Sequence, residues 1–267
     1  EWLPVLEVHQ MCGRAGRPHL DPYGEAVLVA DGDAAELHER YVDADPEAVE
    51  SQLADPAALR THVLALVAAG FADTRDRILG LLDETFYAHQ RPDGDRSGIL
   101  DDALDELAGM EMLTDEGGPA ATPLGETVSR QYVRPETGAA VVDGVRAAAR
   151  RRPEDVTELT ALEIVCDTPD MQDTYLGNAE RADMYKFARD HAAEFTTAMA
   201  EADDFEGWLT AVKTARVLHE WSEGRSVEAL VEDYRIGPGD LESRIERGEW
   251  LLRAAGAIVE TMGIEGA

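Results

Sequence analysis

The sequence predicts a mainly α-helical chain: a remnant of an α/β domain at its start, then a winged helix, then a helical bundle. Three observations carry this. Strand-like apolar runs, Leu3–Val8 and Glu25–Ala30 (EAVLVA), occur near the N-terminus. Three stretches of helical spacing then precede a turn-rich pair of short apolar segments, the element order of a winged helix. From Pro135 onward only helical spacing is found.

Between the two runs lie Gln10–Arg17 and a proline-containing turn, Pro18–Gly24, and Asp33–Val42 has helical spacing. Asp43–Pro46 breaks the pattern and sets the first boundary, giving a first segment of residues 1–45. In a second, 46–134, Leu59, Val63, Leu66 and Val67 predict one helix that stops at Gly70. Ile78, Leu81 and Leu82, running on to Thr85-Phe86-Tyr87, predict the next, and Leu100, Leu104 and Leu107 a third. Met112-Leu113 and Ala120-Ala121 flank Asp115-Glu116-Gly117-Gly118, which suits a β-hairpin. Thr122-Pro123 caps a further helix, with proline at its first position. The third segment, 135–267, reads as about six helices, with breaks near Pro153, Pro169, Gly177, Gly224 and Gly237-Pro238-Gly239.

Charge is the strongest compositional signal. The 267 residues hold 55 Asp plus Glu against 24 Lys plus Arg, a net charge of -31. The only lysines are Lys186 and Lys213. The acids alternate with ordered apolar periods, so the chain is not an acidic disordered one. A folded, lysine-poor, acidic protein fits a salt-rich cytoplasm, the expected location; no apolar run is long enough to span a membrane. Taken alone, this charge speaks against nucleic acid. Two cysteines, Cys12 and Cys166, are too few for a disulfide framework, and neither they nor the seven histidines form a metal pattern.

One motif outweighs the charge. His9 to Pro18 reads HQMCGRAGRP, with the core Q-x-x-G-R-x-G-R formed by Gln10, Gly13, Arg14, Gly16 and Arg17. Arg14 and Arg17 are three apart, so a helical turn would aim them the same way. Glycines permit close backbone approach, and a guanidinium fork matches phosphate oxygens. Such a pair suits the charge on a transferring γ-phosphate.

His9–Ala30 resembles the sixth motif, and the strand after it, of Ski-like superfamily-two helicases, and the archaeal DNA repair group in particular. Glu84-Thr85-Phe86-Tyr87-Ala88, Ala121-Thr122-Pro123-Leu124-Gly125, Ile236-Gly237-Pro238-Gly239-Asp240 and Trp250-Leu251-Leu252 agree in order. The resemblance implies ATP-dependent, 3′-to-5′ unwinding of forked or branched DNA in repair and replication restart. It also implies ATP and Mg2+ bound mainly by other domains of a longer parent, single-stranded and forked DNA as partners, and a monomer. Arg14 and Arg17 would be catalytic and Gln10 would sense the nucleotide. No G-x-x-x-x-G-K-[ST] or D-E-x-[HD] occurs, so these 267 residues are expected to be inactive as an ATPase and to hold no cofactor. A last small domain is expected to be absent. The alternatives are a non-catalytic helicase-derived scaffold, or an RNA helicase.

On a helical wheel at about 100° per residue, Leu241, Ile245, Gly248, Leu252, Ala255 and Val259 form one apolar stripe of the last helix. Trp250 lies about 180° from Leu241, with Arg247, Arg253 and Ser243 on its face. An aromatic flanked by guanidiniums suits stacking on a base. The resemblance implies the same for Trp250, and an arginine where Ser243 stands; Arg244 or Arg247 is the candidate substitute. Trp208 and Trp221 read as buried on a central helix, and the resemblance implies that Trp2 belongs to the returning strand of a strand-separating hairpin whose other strand lies upstream. The third helix carries Asp101, Asp102, Asp105 and Glu106, which would repel phosphates, so the winged helix is expected to bridge domains. Gly237–Asp240 reads as a tight turn capped by Asp240.

Overall fold

The computed structural model describes residues 2–17, 19–29, 32–114, 117–171, 174–200, 202 and 204–263. They fall into two compact units, 1–51 and 52–267, so the first division comes at Ser51–Gln52.

The first unit departs from the strand expectation. Residues 5–12 form helix α1 (Val5–Cys12). Val5 and Val8 recur three apart and pack with Tyr41. The carboxylate of Glu47 accepts the backbone N–H groups of Val5, at 2.6 Å, and Leu6, at 2.8 Å. It thereby satisfies two of the donors a helix start leaves open. A strand is completed only by a neighbouring strand's donors and acceptors, and no described residue of this unit is in a strand. Residues 23–29 have no regular structure, with Val27 and Val29 largely exposed. The expected helix at 33–42 appears as α2 (Ala34–His38), capped by Asp33, running into a π-helical turn at Glu39–Asp43.

The second unit opens with α3 (Pro56–Ala68), α4 (Arg75–Asp83), α5 (Phe86–Gln90) and α6 (Arg96–Gly109), each with an Asp or Thr side chain accepting at its N-cap. The expected second helix is broken at Thr85, which caps α5. Strands β1 (Leu113–Thr114) and β2 (Ala120–Ala121) pair antiparallel, Leu113 opposite Ala121. Of the turn between them, Asp115 and Glu116 lie outside the described residues. Helix α7 (Pro123–Gln131) follows, capped by Thr122.

Six more helices follow: α8 (Pro135–Ala148), α9 (Glu158–Cys166), α10 (Arg181–Asp190), α11 (Phe205–Ser222), α12 (Val227–Tyr234) and α13 (Pro238–Met262). One buried apolar cluster runs through the whole unit, from Leu59 to Ile258. Helix α11 lies deep in it: Trp208 is buried, Trp221 partly so, and Lys213 is buried against Glu180 and the Tyr175 carbonyl. No helix among the described residues is long and apolar enough to cross a membrane.

Candidate nucleotide and nucleic-acid sites

The arginine motif lies in the first unit. Helix α1 carries Gln10 and ends at Cys12, so Arg14 and Arg17 stand beyond it on a turn rather than on the helix. The turn is built by close backbone approach. Gly16 has φ +76°, and a Cβ placed on it would meet the Gly24 Cα at 2.9 Å. A Cβ on Gly24 would meet the Ala15 carbonyl oxygen at 2.1 Å. Neither position admits a side chain without movement. Gly24 was not among the expected site residues; a lone glycine in a polar turn gives no sign of its partner. Gln10, Gly13, Arg14 and Arg17 are all exposed. Arg17 is held by Asp21, which takes its backbone N–H at 2.8 Å and its Nε–H at 3.1 Å. These bonds hold the Asp21 carboxyl below the usual carboxylate range. The result is a solvent-facing turn with two arginines, of which Arg17 has its guanidinium on the Asp21 carboxylate. His9 bonds the Tyr41 carbonyl through Nε2, at 2.8 Å. Trp2 lies in no strand; the Arg40 guanidinium sits 5.2 Å from its ring centre.

In the second unit the buried face of α13 differs from the expected stripe. Leu241, Arg244, Gly248, Leu251, Ala254 and Ile258 are buried, while Leu252 is exposed. The buried face is therefore rotated by roughly 60° on the wheel, away from Leu252, towards Trp250. Leu251, Ala254 and Ile258, apolar residues outside the expected stripe, define it, and one polar residue joins them. Arg244 enters the interior because its nitrogens bond Thr174 Oγ1, at 3.0 Å, and the Asp240 carbonyl, at 2.9 Å. A wheel that scores only apolar side chains cannot see that.

The rotation sets the surroundings of Trp250. Its indole is half-buried and donates Nε1–H to the Gln131 carbonyl at the end of α7, at 3.0 Å. Arg247, also half-buried, donates to the Asp170 carbonyl at 2.8 Å. The Asp170 carboxylate in turn accepts the backbone N–H and Nε of Arg134, at 2.8 and 3.2 Å. Arg253 is exposed, its Nε bonded to the Glu249 carbonyl at 3.2 Å. Ser243 is half-buried. Trp250, Arg247 and Arg253 thus share the side of α13 that faces α7 and solvent, whereas Arg244 points inward. Gly237, not Asp240, is the N-cap of α13; Asp240 sits in the first turn, where its charge suits the helix dipole.

Two of the four acids of α6, Asp101 and Glu106, are engaged within the fold, while Asp102 and Asp105 are exposed. Asp101 receives Arg75 at 2.5 and 2.8 Å, tying α6 to α4. Glu106 pairs with Arg60, whose Nε also donates to Glu136 of α8 at 2.5 Å. No group of three or more metal-ligating side chains occurs among the described residues.

A family model described as archaeal helicase, domain 4, matches residues 159–267. The chain is 39% identical over 269 residues to the ATP-dependent DNA helicase Hel308 of Methanocella arvoryzae, covering 98% of this chain and 36% of that protein. It is 35% identical to the Thermococcus kodakarensis protein of the same name, over 94% of this chain and 22% of the relative. To that of Pyrobaculum calidifontis it is 33% identical, over 99% and 36%. The chain thus spans about a third or less of the length of these relatives.

Proposed function

The chain belongs to the archaeal Ski-like superfamily-two helicases as a C-terminal portion of one, and on that premise we propose that its parent is an ATP-dependent DNA helicase. In this reading the parent unwinds forked or branched DNA, moving 3′-to-5′ on a single strand. The first unit contributes Arg14 and Arg17 to ATP held with Mg2+ mainly by other parts of the parent, and Gln10 contacts the nucleotide. Residues 46–134 act as a winged helix that bridges domains, and 135–267 as a ratchet bundle that grips the strand. Trp250 stacks on a base while Arg247 and Arg253 contact phosphates. The buried, engaged Arg244 and the half-buried Ser243 are weaker candidates for that contact than Arg247.

The observation that carries the proposal is the exposed arginine pair on a turn fixed by the Gly16–Gly24 approach. A backbone turn fixed in this way sets where the two arginines project, and a guanidinium fork matches phosphate oxygens. Exposed Leu20, Tyr23, Val27 and Val29 beside it are surface of the kind a neighbouring domain covers. The test is Arg17→Ala in the full-length parent. DNA-stimulated ATP hydrolysis should fall by roughly 10³-fold or more, the range for an arginine finger, with little change in nucleotide affinity. Unchanged turnover would refute the assignment. These 267 residues alone should not hydrolyse ATP.

A further inference from the structure

Tyr132 occupies a place where a tyrosine is hard to explain by folding alone. It ends α7 in the left-handed region, with φ +58°, and is 88% exposed. Helix ends of this kind favour glycine or asparagine, because a bulky side chain there meets backbone. An exposed ring recovers little of that cost by burial. Strain retained at an exposed aromatic points to a use for the ring.

The surroundings define the use. The turn after α7 is clamped on both sides to α13. Trp250 takes the Gln131 carbonyl, the residue before Tyr132. Two residues on, Arg134 is bound by Asp170, whose carbonyl Arg247 holds. Tyr132 therefore follows directly in the chain on the residue whose carbonyl the Trp250 indole holds. Two guanidiniums flank it: Arg130, with a side chain 71% exposed, and Arg134, 52% exposed. Tyr132 is also among the residues that line a groove of about 520 Å3 between α3 and α7, with Thr61, Ala65, Glu126, Arg130 and Val133. Clefts of that size accept small planar ligands. Each of these arginines faces one carboxylate, Arg130 that of Glu126 at 4.0 Å and Arg134 that of Asp170 at 3.2 Å, so the ring has a locally balanced setting in a chain of 55 acidic and 24 basic residues.

We propose that Tyr132 is a second base-stacking site on the strand that passes Trp250, with Arg130 and Arg134 beside the flanking phosphates and the α3–α7 groove receiving the base. This rests on the reading of Trp250 as a strand contact. Every nucleobase has a π-face, so the site takes single-stranded nucleic acid with little sequence preference.

The test uses the whole 267-residue chain and a fluorescein-labelled oligothymidylate, followed by anisotropy at several salt concentrations. Tyr132→Gly suits the left-handed backbone, so its melting temperature should equal or exceed that of the wild type. Its Kd should nevertheless rise by about 5- to 150-fold, the range for one lost stack. Tyr132→Phe should bind within about twofold of wild type, since the ring is kept. The slope of log Kd against log salt should not change in either variant, because no charge is removed. If Tyr132→Gly binds as wild type while Trp250→Ala binds more weakly, the second site is wrong and the Trp250 reading stands. If neither variant differs from wild type, or wild type itself shows no saturable binding, both readings fall. Equal loss in Tyr132→Phe would assign the contact to the hydroxyl and overturn stacking. Unfolding of Tyr132→Gly would show the ring to be structural and would also overturn it.

Discussion

Trp250 shows how much can turn on one residue. Its indole is wedged between roles: half of it packs against the core and its N–H is spent on Gln131, while the rest faces solvent. Trp250→Ala should therefore weaken strand binding and also lower stability by about 2 kcal/mol, from lost packing and a carbonyl left without its donor. Trp250→Phe separates the two, keeping a stacking ring but not the hydrogen bond; urea unfolding beside oligonucleotide titration reads both. If Trp250→Phe binds no better than Trp250→Ala, ring stacking is not what Trp250 supplies. Asp167, at the C-cap of α9, gives a prediction of opposite sign. It keeps part of its surface in water, yet burial of its carboxyl, with Glu163 and Asp204 nearby, pushes its pKa up to about 6 from 3.8. A raised folded pKa means the stability linked to the bound proton is full below about 4 and is lost as pH rises through about 6. Asp167→Asn should raise the melting temperature at pH 7 and make no difference near pH 4. An equal shift at both pH values would rule out the carboxyl as the cause. The sequence makes Trp250 and its arginine neighbours legible as a group, because helical spacing alone places them on one face. It does not show that Arg244 is interior, which depends on Thr174 seventy residues away, or that Gly24 completes the arginine turn, which depends on how an irregular loop folds back on Ala15 and Gly16.

At the scale of the element, α1 is where local pattern and outcome part. Leu3–Val8 has the apolar density of a strand and also helical spacing at Val5, Val8 and Cys12. Short apolar runs are ambiguous between the two. The Glu47 carboxylate, 42 residues from Val5, decides it by capping the helix start. Backbone bonds from Leu6 and Val5 hold the Glu47 carboxyl below its ordinary range. A depressed folded pKa means that its contribution is present above the unfolded value of 4.5 and is lost as pH falls through the lower, folded one. Hydrogen exchange at the Val5 and Leu6 amides should accelerate as pH drops below about 4.5, beyond the intrinsic trend. Glu47→Gln should show the acceleration already at neutral pH. Protection in Glu47→Gln equal to wild type would mean that the cap does not hold α1. By contrast, α3, α6, α7 and the short strand pair were legible, because each helix start carries its own Asp or Thr cap, whereas α4 and α5 were read as one helix across the Thr85 cap. Where caps and periods lie within one segment the sequence suffices; where a distant carboxylate arbitrates, it does not.

At the scale of the whole molecule, charge is the governing quantity. A net charge of -31 on 267 residues is self-repulsive. The fold manages it partly by assigning arginines to carboxylates across elements: Arg75 to Asp101, Arg60 to Glu106 and Glu136, Arg146 to Glu111, and Arg216 to Asp183. Most of these pairs are at least partly exposed, where each contributes about 0–1 kcal/mol. They leave a large excess of unpaired acid, whose mutual repulsion is long-ranged at low salt and falls as the screening length drops from about 30 Å at 0.01 M to about 3 Å at 1 M. Salt also weakens the pairs, so the two effects oppose each other. With 55 acids and 24 bases the repulsion is the larger, and screening should stabilise the chain. The melting temperature should rise as KCl goes from low to molar concentration, which fits the proposed salt-rich cytoplasm. Measuring the same series with sodium sulfate and with tetramethylammonium chloride separates screening from ion-specific effects: screening predicts a rise in all three. A flat or falling KCl curve would mean that the arginine pairs, not the surplus acids, dominate the electrostatics of folding, and the salt-adapted reading would be lost.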